Sequence, residues 1–211
     1  MNPKTQHTLW QGPHGAVEVS IDQPAENARG LAVIAHPHPL FGGTKDNKVV
    51  QTLARAFLQL GYITVRFNFR GVGQSTGLHD HGKGEVEDMV WLVQQAHSTL
   101  LPPGLRDQPV AMAGFSFGAF VTSHAAQQLA GKLPMGKLVL VGTAASRFEV
   151  APVPEDTLVI HGEVDDTVPL QSVLDWAKPL DLPVFVMPGV EHFFHGKLPQ
   201  LKAMVVRYYP S

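Results

Sequence analysis

The stretch AMAGFSFGAF, residues 111–120, sets one serine between two glycines where an apolar run gives way to a run of small residues. The segment before it, PVAMAG (109–114), is short and almost wholly apolar, as a strand buried on both faces should be. The segment after it is helix-compatible to about residue 130. Gly-Phe-Ser-Phe-Gly (114–118) therefore falls at a strand-to-helix turn. A sharp turn there brings backbones so close that β-carbons at 114 and 118 would collide, while Ser116 is thrust out at the sheet edge with its Oγ exposed. The bland alternative is a hydroxyl that only caps the helix behind it.

Outward from this turn the same pattern repeats. LAVIAH (31–36), YITVRF (62–67), KLVLVG (137–142), TLVIHG (157–162) and PVFVMP (183–188) read as buried parallel strands. GAVEVSID (15–22) alternates and suits an antiparallel edge. Helical periods lie between them. In NKVVQTLARAFLQLG, Val50, Leu53, Ala54 and Phe57 share a face and Gly61 can cap the end, and EVEDMVWLVQQAH (85–97) carries its acids at the favoured N-terminal end. Further helices are predicted at about 117–130, 170–177 and 197–208. Strands alternating with helices over short links imply a doubly wound, mostly parallel α/β sheet flanked by helices, whose ligands bind beyond the carboxyl ends of the strands.

Bulk composition agrees with one domain over residues 1–211. A chain of this length can bury roughly 70% of the surface it exposes unfolded. Lys and Arg total 16 against 18 Asp and Glu, a formal charge of -2, so no broad field draws it to nucleic acid or anionic lipid. With no cysteine there is no disulfide framework, thiol nucleophile or thiolate metal site. MNPKTQHTLWQGPHG lacks the apolar region of a secretory signal, and no later run approaches a membrane span. A soluble cytoplasmic protein is the expectation.

A serine hydroxyl becomes a useful nucleophile only when a base takes its proton, and the base needs an orienting carboxylate. Both follow in order along the chain. HGEVDDTVP (161–169) offers Asp165 and Asp166, and GVEHFFHGKL (189–198) offers His192 and His195. Asp165 is preferred because the loop should turn directly after the strand, leaving Asp166 to cap the next helix. His192 is preferred because it lies in the loop, whereas His195 is nearer the last helix. The oxyanion of acyl transfer needs two backbone donors. Phe117 N–H, just after the serine, is one. The other should come from HPHPLFGG (36–43), where Pro37 and Pro39 have no N–H, leaving His38 first and Leu40 second.

In these segments the sequence resembles the α/β-hydrolase superfamily over nearly its whole length: HPHPLFGG, FNFRGVGQSTG (67–77), GFSFGAF, HGEVDDTVP and EHFFHGKL. It is similar, more narrowly, to small lidless bacterial serine esterases. That resemblance implies Ser116, Asp165 and His192 as catalytic triad on a nucleophile elbow, Phe117 and His38 as oxyanion donors, and no cofactor or metal. In such proteins a cap is usually inserted after the strand that follows the elbow helix, and residues 143–156 are too few to build one. TAASRFEVAPVPED should instead be a loop at the mouth of the site, with Phe148 and Val150 as wall residues.

The expected activity is that of a serine carboxylesterase acting on small esters, with thioester, amide or peptide cleavage as alternatives on the same triad. His192 would take the Ser116 proton, Asp165 would hold the imidazole, and rate should fall in acid as the base protonates. Two rivals come from other classes. A metal-dependent hydrolase could draw on His36, His38, His79, His81, His161 and Asp165, and would lose its rate to a chelator. A non-catalytic binding protein would leave Ser116 unlabelled by a fluorophosphonate. Of the polar residues near the expected cleft, Asn68, Arg70, Arg147 and Glu191 could recognise substrate but are read mainly as ties between loops, Arg70 pinning the 67–77 loop. The partner expected is a small-molecule ester; a homodimer is left open.

Overall fold

The computed structural model describes residues 4–209. Eight strands form one sheet: β1 (Gln6–Gly12), β2 (Gly15–Asp22), β3 (Gly30–Ala35), β4 (Tyr62–Phe67), β5 (Val110–Phe115), β6 (Met135–Val141), β7 (Leu158–Gly162) and β8 (Val184–Met187). Their order is β1-β2-β4-β3-β5-β6-β7-β8. β1 and β2 form an antiparallel hairpin, β2 meets β4 antiparallel, and all the other pairs are parallel. The alternating strand 15–22 is thus antiparallel as read but is not the edge. β1 lies outside it, and its sequence, QHTLWQG, was not read as a strand because only Leu9 and Trp10 in it are strongly apolar.

Five helices cover the faces: α1 (Lys48–Gln59), α2 (Lys83–Leu100), α3 (Phe117–Leu129), α4 (Leu170–Ala177) and α5 (Leu198–Tyr208). Alternation along the central strands divides the core. Val33, Met112, Leu138 and Leu140 face α2 and α3, while Ile34, Ala113, Val139 and Ile160 face α1 and α5. Two of the helices start at side-chain caps. Asn47 accepts the Val49 N–H at the start of α1, and the Glu85 carboxylate reaches back to the Gly82 N–H at the start of α2.

The chain builds β4 on one side of β3 and then crosses to place β5 on the other, with Ala35 paired to Gly114. This switch point opens a crevice at the carboxyl ends of the strands. Residues 142–157, between β6 and β7, contain no helix or strand, so no cap covers that crevice from there. No helix among the described residues is long and apolar enough to cross a membrane.

Candidate active site

β5 ends at Phe115 and α3 begins at Phe117, leaving Ser116 alone to make the turn at φ 57°, ψ −116°. Such a backbone costs a non-glycine residue about 1–3 kcal/mol and persists only when its surroundings enforce it. The flanking glycines enforce it by proximity. A β-carbon on Gly114 would run into the Gly118 carbonyl, and one on Gly118 would lie 2.5 Å from the Ala35 carbonyl oxygen and 2.6 Å from that of His36. The helix-capping alternative for Ser116 fails here, because its side chain makes no capping bond to α3. Its Oγ instead lies 3.1 Å from His192 Nε2.

The His192 ring is held from behind, its Nδ1–H donating to Asp165 Oδ2 at 2.6 Å, which leaves Nε2 as the acceptor facing Ser116. Asp165 is itself fixed: its Oδ1 accepts the Thr167 N–H at 3.0 Å and the Val168 N–H at 2.7 Å. Burial works against its charge, but the bonds from His192 and Val168 outweigh it and hold the carboxyl below its ordinary pKa. The acid thus closes its own turn. Asp166, expected to cap α4, does not: it accepts only the Thr167 hydroxyl, and Pro169 occupies the cap position with no side-chain bond. His195 is exposed and paired to Glu191, away from this group.

A second histidine stands behind the acid. His161 at the end of β7 is fully buried, its Nε2–H donates to the Val168 carbonyl at 2.9 Å, and the same nitrogen lies 3.5 Å from Asp165 Oδ2. Burial lowers its pKa and keeps it neutral. From the sequence its only reading is as a metal ligand, since nothing in TLVIHG tells a ligand from a prop.

The loop after β3 closes on itself. Phe41 N–H and Gly43 N–H both donate to the His38 carbonyl at 3.1 Å. Below it His36, with no exposed surface, donates Nδ1–H to the Pro37 carbonyl at 2.6 Å and accepts the Phe69 N–H on Nε2 at 3.0 Å. Burial drives its pKa down to about 3. Farther along, Lys45 bridges Glu18 at 3.0 Å and Asp46 at 2.9 Å, Arg66 bonds the Lys45 carbonyl and Asp46, and Asn68 accepts the Lys45 N–H. The loop is therefore clamped to β2 and β4. Leu40 N–H donates to His38 Nδ1 at 3.2 Å and its side chain is exposed, which takes it out as an oxyanion donor. His38 N–H makes no hydrogen bond among the described residues, and Phe117 N–H lies in the first turn of α3, where helix geometry offers no partner.

Ser116 and His192 open into a cleft of about 370 Å³ bordered by Pro37, His38, Phe41, Asn47, Arg147, Thr167 and Phe193. Of the two expected wall residues, Val150 belongs to the core beside α2 and α3, and Phe148 stands behind the cleft, its ring 5.2 Å from Phe117 and 6.0 Å from His38. The apolar walls are Phe41 and Phe193, 75% and 42% exposed. Each sits inside a motif already singled out, HPHPLFGG or EHFFHGKL, and an aromatic in a glycine- and histidine-rich loop at a strand's carboxyl end was the signal that could have found it. A cavity of about 400 Å³ at the opposite edge of the sheet, lined by Arg29, Tyr62, Lys137, Asp156 and Tyr209, is bordered by no serine or histidine.

No group of three or more His, Asp or Glu side chains with metal-binding geometry exists among the described residues. His36 shows why, since both its nitrogens are already engaged with the backbone.

The family model for X-Pro dipeptidyl-peptidase (S15 family), an α/β-hydrolase family, matches residues 15–135. XC6422 from Xanthomonas campestris, described as an α/β serine hydrolase without a lid, is 34% identical over 100% of this chain and 98% of its own, with a TM-score of 0.86. The chain belongs to the α/β-hydrolase superfamily. An α/β serine hydrolase homologue from Coxiella burnetii is 38% identical to this hydrolase over 96% of each chain, with a TM-score of 0.80. ATU1826 from Agrobacterium tumefaciens, described as a putative α/β hydrolase, is 30% identical over 96% of this chain and 94% of its own, at 0.86. The S15 match ends before the loops that carry Asp165 and His192.

Proposed function

We propose that this hydrolase cleaves small carboxylic esters through an acyl-enzyme on Ser116. The observation that carries the reading is the continuous chain of hydrogen bonds from Ser116 Oγ through His192 to Asp165, 3.1 and 2.6 Å long, opening into an uncapped cleft. His192 Nε2 removes the serine proton as Oγ attacks the carbonyl carbon, and Asp165 steadies the imidazolium. The N–H groups of Phe117 and His38 receive the oxyanion, with the positive end of α3 behind them. The imidazolium then protonates the leaving alcohol. Water, deprotonated by the same imidazole, releases the acid and restores the serine. Losing one oxyanion donor in such a site costs about 3 kcal/mol of transition-state stabilisation.

Peptidase action on the same residues is the second reading, favoured by the S15 match. The cleft argues for esters. A dipeptidyl-peptidase substrate presents a free α-ammonium two residues from the scissile bond, and no carboxylate borders the cleft to receive it. An uncapped cleft of this volume holds a short acyl chain and cannot close over a long one. Turnover of p-nitrophenyl esters is therefore expected to fall from acetate and butyrate to palmitate, and to vanish in Ser116→Ala. Faster cleavage of an Ala-Pro anilide than of any ester would overturn the ester reading, as would rates rising steadily to palmitate.

A further inference from the structure

Of the basic side chains at the carboxyl edge of the sheet, three that flank the loops after β3 and β4 are neutralised. Lys45 pairs with Glu18 and Asp46, Arg66 with Asp22 and Asp46, and Arg70 makes a two-pronged contact with Asp88 at 2.8 Å on both arms. Arg147, in the loop after β6, is not. Its guanidinium makes no hydrogen bond or ion pair among the described residues, it is exposed, and it borders the cleft that holds Ser116 and His192. No Asp or Glu borders that cleft with it.

Arg147 is not on a loose loop. The Arg147 N–H donates to the Ala144 carbonyl at 3.2 Å and the Phe148 N–H to the same oxygen at 3.1 Å, so the backbone turns tightly at this point. The next side chain anchors it: the Phe148 ring stacks on Phe120 at 4.8 Å, 23° between planes, and meets Phe117 of the elbow helix at 5.2 Å. The turn that presents the guanidinium is thus packed against the helix that presents the serine. A fixed planar fork of donors with no internal acceptor is suited to an oxyanion such as a carboxylate. Phe41 and Phe193 supply apolar surface at the same opening.

We propose that Arg147 is a specificity-determining residue and that the substrates are esters bearing a free carboxylate apart from the scissile bond, half-esters of dicarboxylic acids or esters of hydroxy acids. This rests on the hydrolytic reading of Ser116 above. The carboxylate docks on the guanidinium while the ester carbonyl meets Ser116, and the reaction is otherwise unchanged.

The test compares kcat/KM for matched esters that differ in charge: p-nitrophenyl butyrate against p-nitrophenyl hemiglutarate for charge on the acyl side, and phenyl acetate against 4-acetoxybenzoate for charge on the leaving side. Each neutral and anionic pair is first compared for its spontaneous hydrolysis, so that the ratio reports the enzyme. In at least one pair the anionic ester is expected to be preferred about fivefold at low salt, an exposed ion pair being worth that order. Arg147→Gln should abolish the preference and Arg147→Glu should reverse it, read as the ratio of kcat/KM within each pair. Equal losses on neutral and anionic esters would make Arg147 a structural residue and overturn the proposal, as would no charge preference on either side. Failure to hydrolyse any ester, with Ser116 unreactive to a neutral fluorophosphonate, would instead bring down the hydrolytic reading and this proposal with it.

Discussion

His36 offers a test of the loop beneath the cleft that does not depend on substrate. It has no exposed surface, both ring nitrogens are engaged by backbone groups, and burial drives its pKa down to about 3. In the unfolded chain a histidine titrates near ~6.5. Above that pH neither state binds the proton. Between the two values the unfolded chain binds a proton that the folded one refuses, so folding stability falls as pH falls through this window and levels off below the lower value. At 1.36 kcal/mol per pH unit the interval amounts to about 5 kcal/mol in full, of which about 2 kcal/mol has been lost by pH 5. Urea denaturation of wild type and His36→Gln at pH 8, 7, 6 and 5 reads this directly. The glutamine is expected to lower stability at pH 8 by about 1 kcal/mol through poorer hydrogen bonding. Its further fall between pH 8 and pH 5 should be smaller than wild type's by about 2 kcal/mol. His161, whose pKa burial also lowers, lies in another loop, contributes alike to both proteins and cancels in the difference. Parallel stability curves for the two proteins would refute the reasoning.

Other expectations follow from single contacts. Gly118→Ala places a methyl against the Ala35 and His36 carbonyls and should cost at least ~2 kcal/mol in urea unfolding together with most ester turnover. Ser116→Gly should abolish turnover yet raise the unfolding free energy by about 1 kcal/mol over Ser116→Ala, because glycine relieves φ 57°; equal stabilities would mean that the turn stores no strain. Val150→Ala should cost about 1–2 kcal/mol of stability and leave kcat/KM per folded molecule unchanged, whereas Phe41→Ala should leave stability within ~0.5 kcal/mol and raise KM. His161→Gln loosens the turn that presents Asp165 and is expected to lower kcat about tenfold with KM within twofold, read by steady-state kinetics.

The elements that define the fold were legible because each carries one dominant signal. Strand 62–67 and helix 170–177 match the sequence reading residue for residue, the first from its short β-rich run and the second from the proline ahead of it. Strand β1 was not legible, since a half-wet edge strand has little apolar content to reveal it. At the site, Asp165 was separable from Asp166 by position alone, but the turn it makes through Thr167 and Val168 was not, and this removed the need for Asp166 as a cap. Val150 was misplaced because an apolar residue in a mouth loop can face the cleft or the core, and only packing against the sheet decides between them. Two of the polar residues read as ties hold their loop to neighbouring elements, Asn68 to Lys45 and Glu18 and Arg70 to Asp88, whereas the bonds of Glu191 stay within its own loop, to Phe193 and His195. Arg147 differs because its neighbours in sequence include no acid turned toward it, a fact of three-dimensional placement.

The most direct test of the central claim is covalent labelling of the serine. The purified protein is treated with a fluorophosphonate at pH 7.5 and read by intact mass and peptide mapping, beside Ser116→Ala and His192→Gln. One adduct per chain on Ser116 is expected, absent in the alanine variant and formed at least ~100-fold more slowly without the imidazole. An unlabelled wild type, or labelling of Ser116 at the same rate without His192, would contradict the account.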